Sequence, residues 1–185
     1  MRMKSDRIAD YLKFIGDYFA NFIAVSQLDK MGFFDAPAST THHGAYEGGL
    51  FDHSLAVAKA LVKLTEDLGL VWERKESPKI IGLFHDLCKC DAYVEKTDDF
   101  GKSFEPKKFE YNKFLTIDGR GEKSCILTLQ YVPLTDEEIH CIRWHMGAYE
   151  KNTDKWNCYG RSIKKYPNVL FTHTADMIAS HIEGV

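Results

Sequence analysis

The chain has 185 residues, of which 44% are hydrophobic and 28% are charged, and its formal net charge is −3 at pH 7. This length and composition are typical of one globular domain, residues 1–185, built around a single core. The weakly negative charge disfavours a long nucleic acid as partner, because nucleic-acid-binding proteins usually carry a basic surface. No apolar run is long enough to cross a bilayer, so no membrane partner is expected.

The cysteine content indicates the compartment. There are five cysteines, an odd number, and Cys88 and Cys90 are too close in sequence to suggest a disulfide framework. We therefore expect reduced thiols and a cytoplasmic location. The start of the chain carries charged residues at short intervals and has no signal-peptide pattern.

Apolar residues recur at three- and four-residue steps over residues 5–30, and this spacing predicts one long amphipathic helix. Its many aromatic residues favour core packing. A subunit interface would use the same face, which leaves open whether the chain forms a homo-oligomer. Gly32 and Pro37 then indicate a loop over residues 31–41.

Two further helices are predicted in the first half of the chain. The first runs over residues 50–68 with helical spacing of its leucines, and it carries His53. The second begins at Ser77-Pro78, an N-cap followed by proline at the first helical position. This helix is apolar on most sides, so we expect it to be central and buried, and it carries His85 and Asp86.

Residues 91–121 lose the helical period, and the aromatic–polar alternation of residues 109–114 indicates one arm of a short hairpin. An insertion of this length beside a site can be functional or a plain surface loop, and both interpretations stay open.

The remainder of the chain reads as mostly helical. We predict a helix over residues 122–131 and another that starts at the capping box of residues 135–138 and ends near His145. Residues 152–166 are polar and read as irregular. Pro167 opens the last helix. The pattern therefore predicts an all-α fold with at most one small hairpin.

The adjacent pair His85-Asp86 stands out because it lies in an apolar segment. Burying two such groups is costly unless something pairs with them. A divalent metal ion satisfies both at once, since imidazole and carboxylate are ordinary ligands. His53 and Asp176 are further ligand-type residues on other predicted helices. Each of them alone is more often a structural or surface residue.

The order of these four residues, with the sequences around the first histidine (48–54) and around the dipeptide (82–89), resembles the HD-domain superfamily of metal-dependent phosphohydrolases. The likeness is to small stand-alone HD hydrolases and to the HD module of bacterial 3′-to-5′ exoribonucleases, and it covers about residues 42–181. It implies an all-α, HD-domain-like helical bundle, one divalent metal ion (Mn, Fe, Co, Ni, Zn or Mg) and hydrolysis of a phosphate ester. It implies four metal ligands: His53, His85, Asp86 and Asp176.

Within that resemblance, further residues gain roles. Asp86 is expected to orient the attacking water as well as bind metal, and Lys89 to neutralise phosphate charge, although alone it would be a solvated helix end. His145 is predicted to contact substrate. Relatives place a histidine there, sometimes as a ligand of a second metal, and an ordinary helix C-cap is the alternative. His173 shares a helix face with Asp176 and is predicted to contact substrate or support the ligands.

One position departs from the pattern. Many relatives carry a histidine after the first glycine of the segment that matches residues 119–124, where it helps to bind a second metal. This chain has Arg120 there. A guanidinium cannot bind a cation, but its fork suits phosphate. We therefore predict one metal rather than two, with Arg120 free to contact substrate.

These features favour a metal-dependent phosphohydrolase that acts on a nucleotide or similar small phosphate ester through a metal-activated water. A phosphodiesterase or nuclease for short or cyclic phosphodiesters is the first alternative. The second is a metal-containing, nucleotide-sensing regulatory module with little turnover.

Overall fold

The computed structural model describes residues 2–117, 119–147 and 153–185, which form a bundle of α-helices with one two-stranded hairpin. The all-α prediction is confirmed. The elements in chain order are α1 (Lys4–Ile15), α2 (Val25–Met31), α3 (Gly49–Leu68), α4 (Ser77–Phe84), β1 (Tyr93–Glu95), β2 (Phe109–Tyr111), α5 (Arg120–Leu129), α6 (Asp136–Arg143), α7 (Thr153–Lys165) and α8 (Asn168–Ile178). Short 3₁₀ turns follow α1 (Phe19–Asn21) and α4 (Leu87–Cys90), and a π-helical turn (Ala179–Glu183) follows α8.

The core is built around α3 and α4, which supply buried side chains to two apolar clusters. One cluster joins them to the N-terminal segments, where Phe33 packs edge to face against both Phe34 and Phe51. The other joins them to α6 and α8. The two central helices cross closely, because a β-carbon at Gly82 would lie only 2.2 Å from the Cα atom of Ala58. The expectation of a central, buried α4 is confirmed.

The long helix predicted over residues 5–30 is wrong. Helix α1 ends at Ile15, and Gly16 adopts a positive φ of 63° that stops it. The periodicity continued past this point because Phe22 and Ile23 also face the core, from a turn. Core packing is confirmed for Tyr11 and Phe22, whereas Tyr18 is exposed. The hydroxyl of Tyr11, for example, is buried and donates to the carbonyl of Ile23 at 2.6 Å.

The prediction that residues 152–166 are irregular is also wrong, since α7 occupies Thr153–Lys165. Its apolar residues are few but fall at helical spacing: Trp156, Tyr159 and Ile163 are three and four apart. These three residues form one narrow apolar stripe. The many charged residues around it kept the average polarity of the segment high and hid the helical period.

Helix α4 was expected to carry His85 and Asp86, but it ends at Phe84. His85 is its C-cap, and Asp86 leaves the helix with φ −112° before the 3₁₀ turn. Ser77 is the first helical residue rather than the N-cap, and its hydroxyl donates to the Glu138 carboxylate at 2.8 Å.

Other predicted elements are confirmed. Thr135 caps α6 with a reciprocal capping box, in which the side chain of Glu138 accepts from the Thr135 N–H at 2.9 Å. The predicted hairpin arm is β2, which pairs antiparallel with β1 so that Tyr93 lies opposite Tyr111. All five cysteines are free thiols. None of the helices described is long and apolar enough to span a bilayer.

Candidate metal centre and substrate pocket

Four elements bring imidazole and carboxylate groups to one buried point. Helix α3 supplies His53 from its second turn, and the end of α4 supplies His85 and Asp86. His145 follows the last turn of α6, and Asp176 lies on α8. The three histidines have no exposed surface, and the two aspartates are 1% and 8% exposed.

The donor atoms of these side chains lie close together. Nε2 of His53 is 3.2 Å from Oδ1 of Asp176 and 3.6 Å from Oδ2 of Asp86. Nε2 of His85 is 3.4 Å from Oδ2 of Asp86, and Nε2 of His145 is 3.5 Å from its Oδ1. Two triads can each offer one atom per residue within 4.8 Å of one another: His53, His85 and Asp86, and His85, His145 and Asp176.

Main-chain carbonyls fix the orientation of the three rings. In each ring Nδ1 lies within hydrogen-bond distance of a carbonyl oxygen: His53 with Val185 (2.9 Å), His85 with Gly82 (2.8 Å) and His145 with Ile142 (2.8 Å). Because a carbonyl only accepts, each Nδ1 donates, and the neutral ring keeps its lone pair on Nε2. Three lone pairs therefore face the same space.

That arrangement fits a divalent cation. Nε2 of His53 and Nε2 of His85 are 3.3 Å apart, where two lone pairs cannot hydrogen-bond each other. Nε2 of His145 is buried and has no hydrogen-bond partner in the part of the chain that the structure describes. Histidines that bind metal typically donate their other nitrogen to a carbonyl or carboxylate, as all three do here. The His/Asp cluster is therefore able to hold a metal ion.

The charges of the site agree with this role. Burial alone would raise the pKa of Asp86, but the Lys89 ammonium, 2.7 Å from Oδ2, and the ring of His85 hold it well below its usual value. Burial likewise opposes ionisation of Asp176, but the hydrogen bond from His53 and the nearby rings of His85 and His145 together lower its pKa. Both carboxylates are thus ionised at neutral pH, which is the form that binds cations.

A cavity of about 260 Å³ opens above Asp86 and Asp176. Three residues predicted to meet substrate or phosphate line it: Lys89, Arg120 and His173. Lys89 is 8% exposed and Arg120 is exposed at the start of α5. His173 is half-buried, and its Nδ1 donates to the carbonyl of His145 at 2.7 Å.

His145, predicted to contact substrate, lies with the metal donors below the cavity and is not among the residues that line it. The structure thus brings together all the residues singled out from the sequence, in two layers. The lower layer holds the donors, and the upper layer holds two cationic side chains and His173.

Sequence reasoning missed most of the remaining wall. It comprises two tyrosines, two methionines and several small or imidazole side chains: Tyr93, Tyr111, Met146, Met177, Ala38, Ser39, His42, His43, Ser180 and His181. The position of His42 and His43 just before the paired glycines was one signal, but exposed loop histidines are the commoner case. The alternation around Tyr111 was another, and it indicated a strand without showing which way the ring points.

Known proteins provide an independent comparison. The family model for the HD domain matches residues 50–170, more than half of the chain. Dihydroneopterin 2′,3′-cyclic phosphate phosphodiesterase from Methanocaldococcus jannaschii is 36% identical over 67 residues, which make up 35% of this chain and 27% of the relative. The chain therefore matches about a quarter of the length of that curated relative. No solved structure gives a significant match.

Proposed function

The chain belongs to the HD domain family, and from this membership we propose that it is a metal-dependent phosphohydrolase of a nucleotide or similar small phosphate ester. One observation carries the proposal: three imidazole lone pairs and two ionised carboxylates converge beneath a cavity that two cationic side chains line. We further propose that residues 1–185 act as one domain in the cytoplasm, which the free thiols support.

One divalent ion is proposed, held by His53, His85, Asp86 and Asp176. His145 adds a third imidazole nitrogen to this group, as a fifth donor residue. When bound, the ion supplies Lewis-acid polarisation of a phosphoryl oxygen and a lowered pKa for water. Imidazole ligands suit iron, cobalt, nickel or zinc better than magnesium, which prefers oxygen, and the two carboxylates suit manganese. Arg120 stands where a histidine ligand of a second ion would be needed, which supports one ion.

The chain's own residues then bind and orient the substrate. Lys89 contacts Asp86 and also borders the cavity, so its ammonium is placed to meet a phosphoryl oxygen. Arg120 lines the same cavity from the start of α5, and its fork suits phosphate. The ionised Asp86 accepts a hydrogen bond from the attacking water and orients it. His173 donates through Nδ1 to the main chain, so its Nε2 is left to hydrogen-bond substrate.

A cyclic phosphodiester is the second candidate substrate. The relative from Methanocaldococcus jannaschii is, by its name, a phosphodiesterase of a 2′,3′-cyclic phosphate, and it shares 36% identity over the aligned residues. A small ring of this kind is compatible with the volume of the cavity.

A substrate panel decides between the candidates. Nucleoside monophosphates and triphosphates, cyclic nucleotides, dinucleotides and dihydroneopterin 2′,3′-cyclic phosphate should be tested with manganese, magnesium, cobalt and nickel supplied separately. We expect release of phosphate or ring opening for at least one class. Tight nucleotide binding without any turnover across the panel would instead favour the sensing module.

The metal assignment is tested by Asp86→Asn, which keeps the shape of the side chain and removes its charge. We expect the metal content of the purified protein to fall and the rate to drop at least about 100-fold. Asp67→Asn is the matched control, since Asp67 is exposed and pairs with Lys63 far from the cavity. Unchanged metal content and rate in the Asp86 variant would contradict the assignment.

A further inference from the structure

We propose that the cavity recognises a flat aromatic ring of the substrate, stacked on Tyr93 and Tyr111 of the hairpin. The inference rests on the proposed function, because it assigns the part of the phosphate ester that lies beyond the phosphoryl group. The ligand class is an aromatic heterocycle joined to a phosphate ester, as in a nucleotide or a pterin phosphate.

The hairpin aims both tyrosines at the same space. Tyr93 and Tyr111 are directly opposite in the antiparallel pairing, so their side chains share one face of the ribbon. Their ring centroids are 5.2 Å apart, with an angle of 58° between the ring planes. Both residues line the cavity, while Val94 and Glu110 alternate to the opposite face.

These rings are not needed by the core. Tyr111 is 59% exposed and Tyr93 is half-buried, so the pair presents aromatic surface to the cavity rather than to the protein interior. Burial raises the pKa of Tyr93, which keeps its hydroxyl neutral. Aromatic side chains beside nucleic acid bases or other planar rings gain energy by stacking, and they do so without strong preference for one base.

Apolar side chains elsewhere in the lining also suit a planar ring. Met146, Met177 and Ala38 line the same cavity as the two tyrosines. Methionine is flexible and polarisable and makes favourable contacts with aromatic rings. The cavity of about 260 Å³ exceeds the roughly 150 Å³ in which a benzene molecule binds. One ring system with its linker therefore fits.

The charges set the direction of the substrate. Lys89 and Arg120 line the same cavity as Tyr93, and their charges partly offset the effect of burial on the pKa of this tyrosine. Lys89 in turn contacts the donor Asp86. A phosphate ester bound with its phosphoryl group at Lys89 and Arg120 would extend its ring over the tyrosine pair.

A matched pair of ligands tests the inference. Adenosine 5′-monophosphate and ribose 5-phosphate carry the same ester on the same sugar, with and without a base. For Tyr111→Ala we expect KM for the nucleotide to rise about tenfold, with kcat and the KM for ribose 5-phosphate unchanged. Tyr111→Phe keeps the ring and should stay within about twofold of the native protein. Val94→Ala, on the other face of the hairpin, is the control.

Calorimetric binding to the metal-loaded protein separates this inference from the proposed function. Suppose that neither ligand is cleaved, that the nucleotide binds more tightly than ribose 5-phosphate, and that Tyr111→Ala removes this difference in affinity. The inference then stands and the phosphohydrolase proposal fails. If both ligands are cleaved with equal KM, the reverse holds. The inference is overturned if no purine, pyrimidine or pterin phosphate binds more tightly than ribose 5-phosphate.

Discussion

The carboxylate of Asp86 has four side chains around it, those of His53, His85, His145 and Lys89, at distances between 2.7 and 3.6 Å. A buried charge is tolerated only when it is paired. With no cation bound, the positive partners of Asp86 are the ammonium of Lys89 and protons on the imidazoles. Metal and protons therefore compete for the same nitrogen atoms.

This competition predicts a pH effect on the metal-free protein. Burial lowers the pKa of His145, but the neighbouring Asp86 outweighs it and raises the pKa above 6.5. A raised pKa in the folded state contributes stability that is complete below about pH 6.5 and is lost as the pH rises through the folded pKa. We therefore expect the unfolding free energy of chelator-treated protein to fall from pH 6.5 upwards, and His145→Gln to remove this dependence in urea titrations.

His140 provides a comparison, because its effect on the pH dependence of stability has the opposite sign. Burial, with the charge of Lys165, lowers its pKa, so His140 reduces stability as the pH falls below its unfolded value. The carboxylates do not interfere, because the pKa values of Asp86 and Asp176 are depressed and their contributions are lost only in acid. If the unfolding free energy of the native protein and of the His145→Gln variant changed with pH in the same way, the assignment of the proton to His145 would be contradicted.

At the scale of single residues, the sequence predicted most of the proposed metal ligands but few of the residues that line the cavity. His85-Asp86 was identifiable because two polar residues in an apolar run need a partner, and the family resemblance added His53 and Asp176. The position of His145 depends on how the chain leaves α6, where Trp144 has φ −110°, and a sequence pattern does not specify that turn.

Among the elements, the crossing of α3 and α4 positions the site. Helix α3 begins near the donors and α4 ends near them, and the two helices are so close that Gly82 lies against the main chain of Ala58. A side chain at Gly82 would separate the helices, and with them His53 and His85. The absence of a β-carbon at this one position therefore affects both stability and metal binding.

We predict that Gly82→Ala destabilises the protein by about 2–3 kcal/mol or more, because the added methyl group has no space and the helices must shift. Metal affinity should fall with it. Urea unfolding with and without manganese measures both effects.

The control is Gly160→Ala in α7, where a β-carbon would meet nothing within 4 Å. Alanine is the better helix former, so this variant should be neutral or gain about 0.5–1 kcal/mol. If the Gly82 variant were as stable as the Gly160 variant, the close crossing would not be a determinant of the fold.

The predictions of secondary structure failed where the spacing of apolar residues does not show whether the chain continues as one helix. Residues 5–30 kept a helical period across Gly16, since residues in the following turn also reach the core. Residues 153–165 form a helix on three well-spaced apolar residues, too few to outweigh their polar neighbours. The pairing of Tyr93 with Tyr111 joins residues eighteen apart, and its register comes from the pairing itself.

Across the whole molecule, the donors come from elements between residues 53 and 176, so a bound ion would tie together both halves of the helical bundle. The two apolar clusters that stabilise the fold meet at α3 and α4, just behind the donors. Folding and metal binding are for this reason expected to be coupled.

We predict that manganese, cobalt or nickel at 100 times its dissociation constant raises the unfolding free energy by about 2.7 kcal/mol, or the melting temperature by roughly 5–10 °C. Calcium, which prefers oxygen-only ligands, should do much less. Scanning calorimetry of chelator-treated and reloaded protein measures the shift. An equal shift with calcium would indicate unspecific binding to surface carboxylates and contradict the imidazole site.

The overall class of the fold was accessible from sequence because long apolar periods and the capping signals at Thr135 and Pro167 are local. The assembly of the pocket was not, since it joins the loop before α3, the hairpin, the start of α5 and the end of α8.

The main-chain oxygen of Val185 accepts a hydrogen bond from Nδ1 of His53, and this contact has a consequence for mutagenesis. Because the acceptor belongs to the main chain, Val185→Ala leaves it in place. Alanine scanning would therefore score Val185 as neutral, although its main chain helps to decide which nitrogen of His53 faces the proposed ion. A substitution that moves the main chain at this point tests the contact better than one that only shortens the side chain.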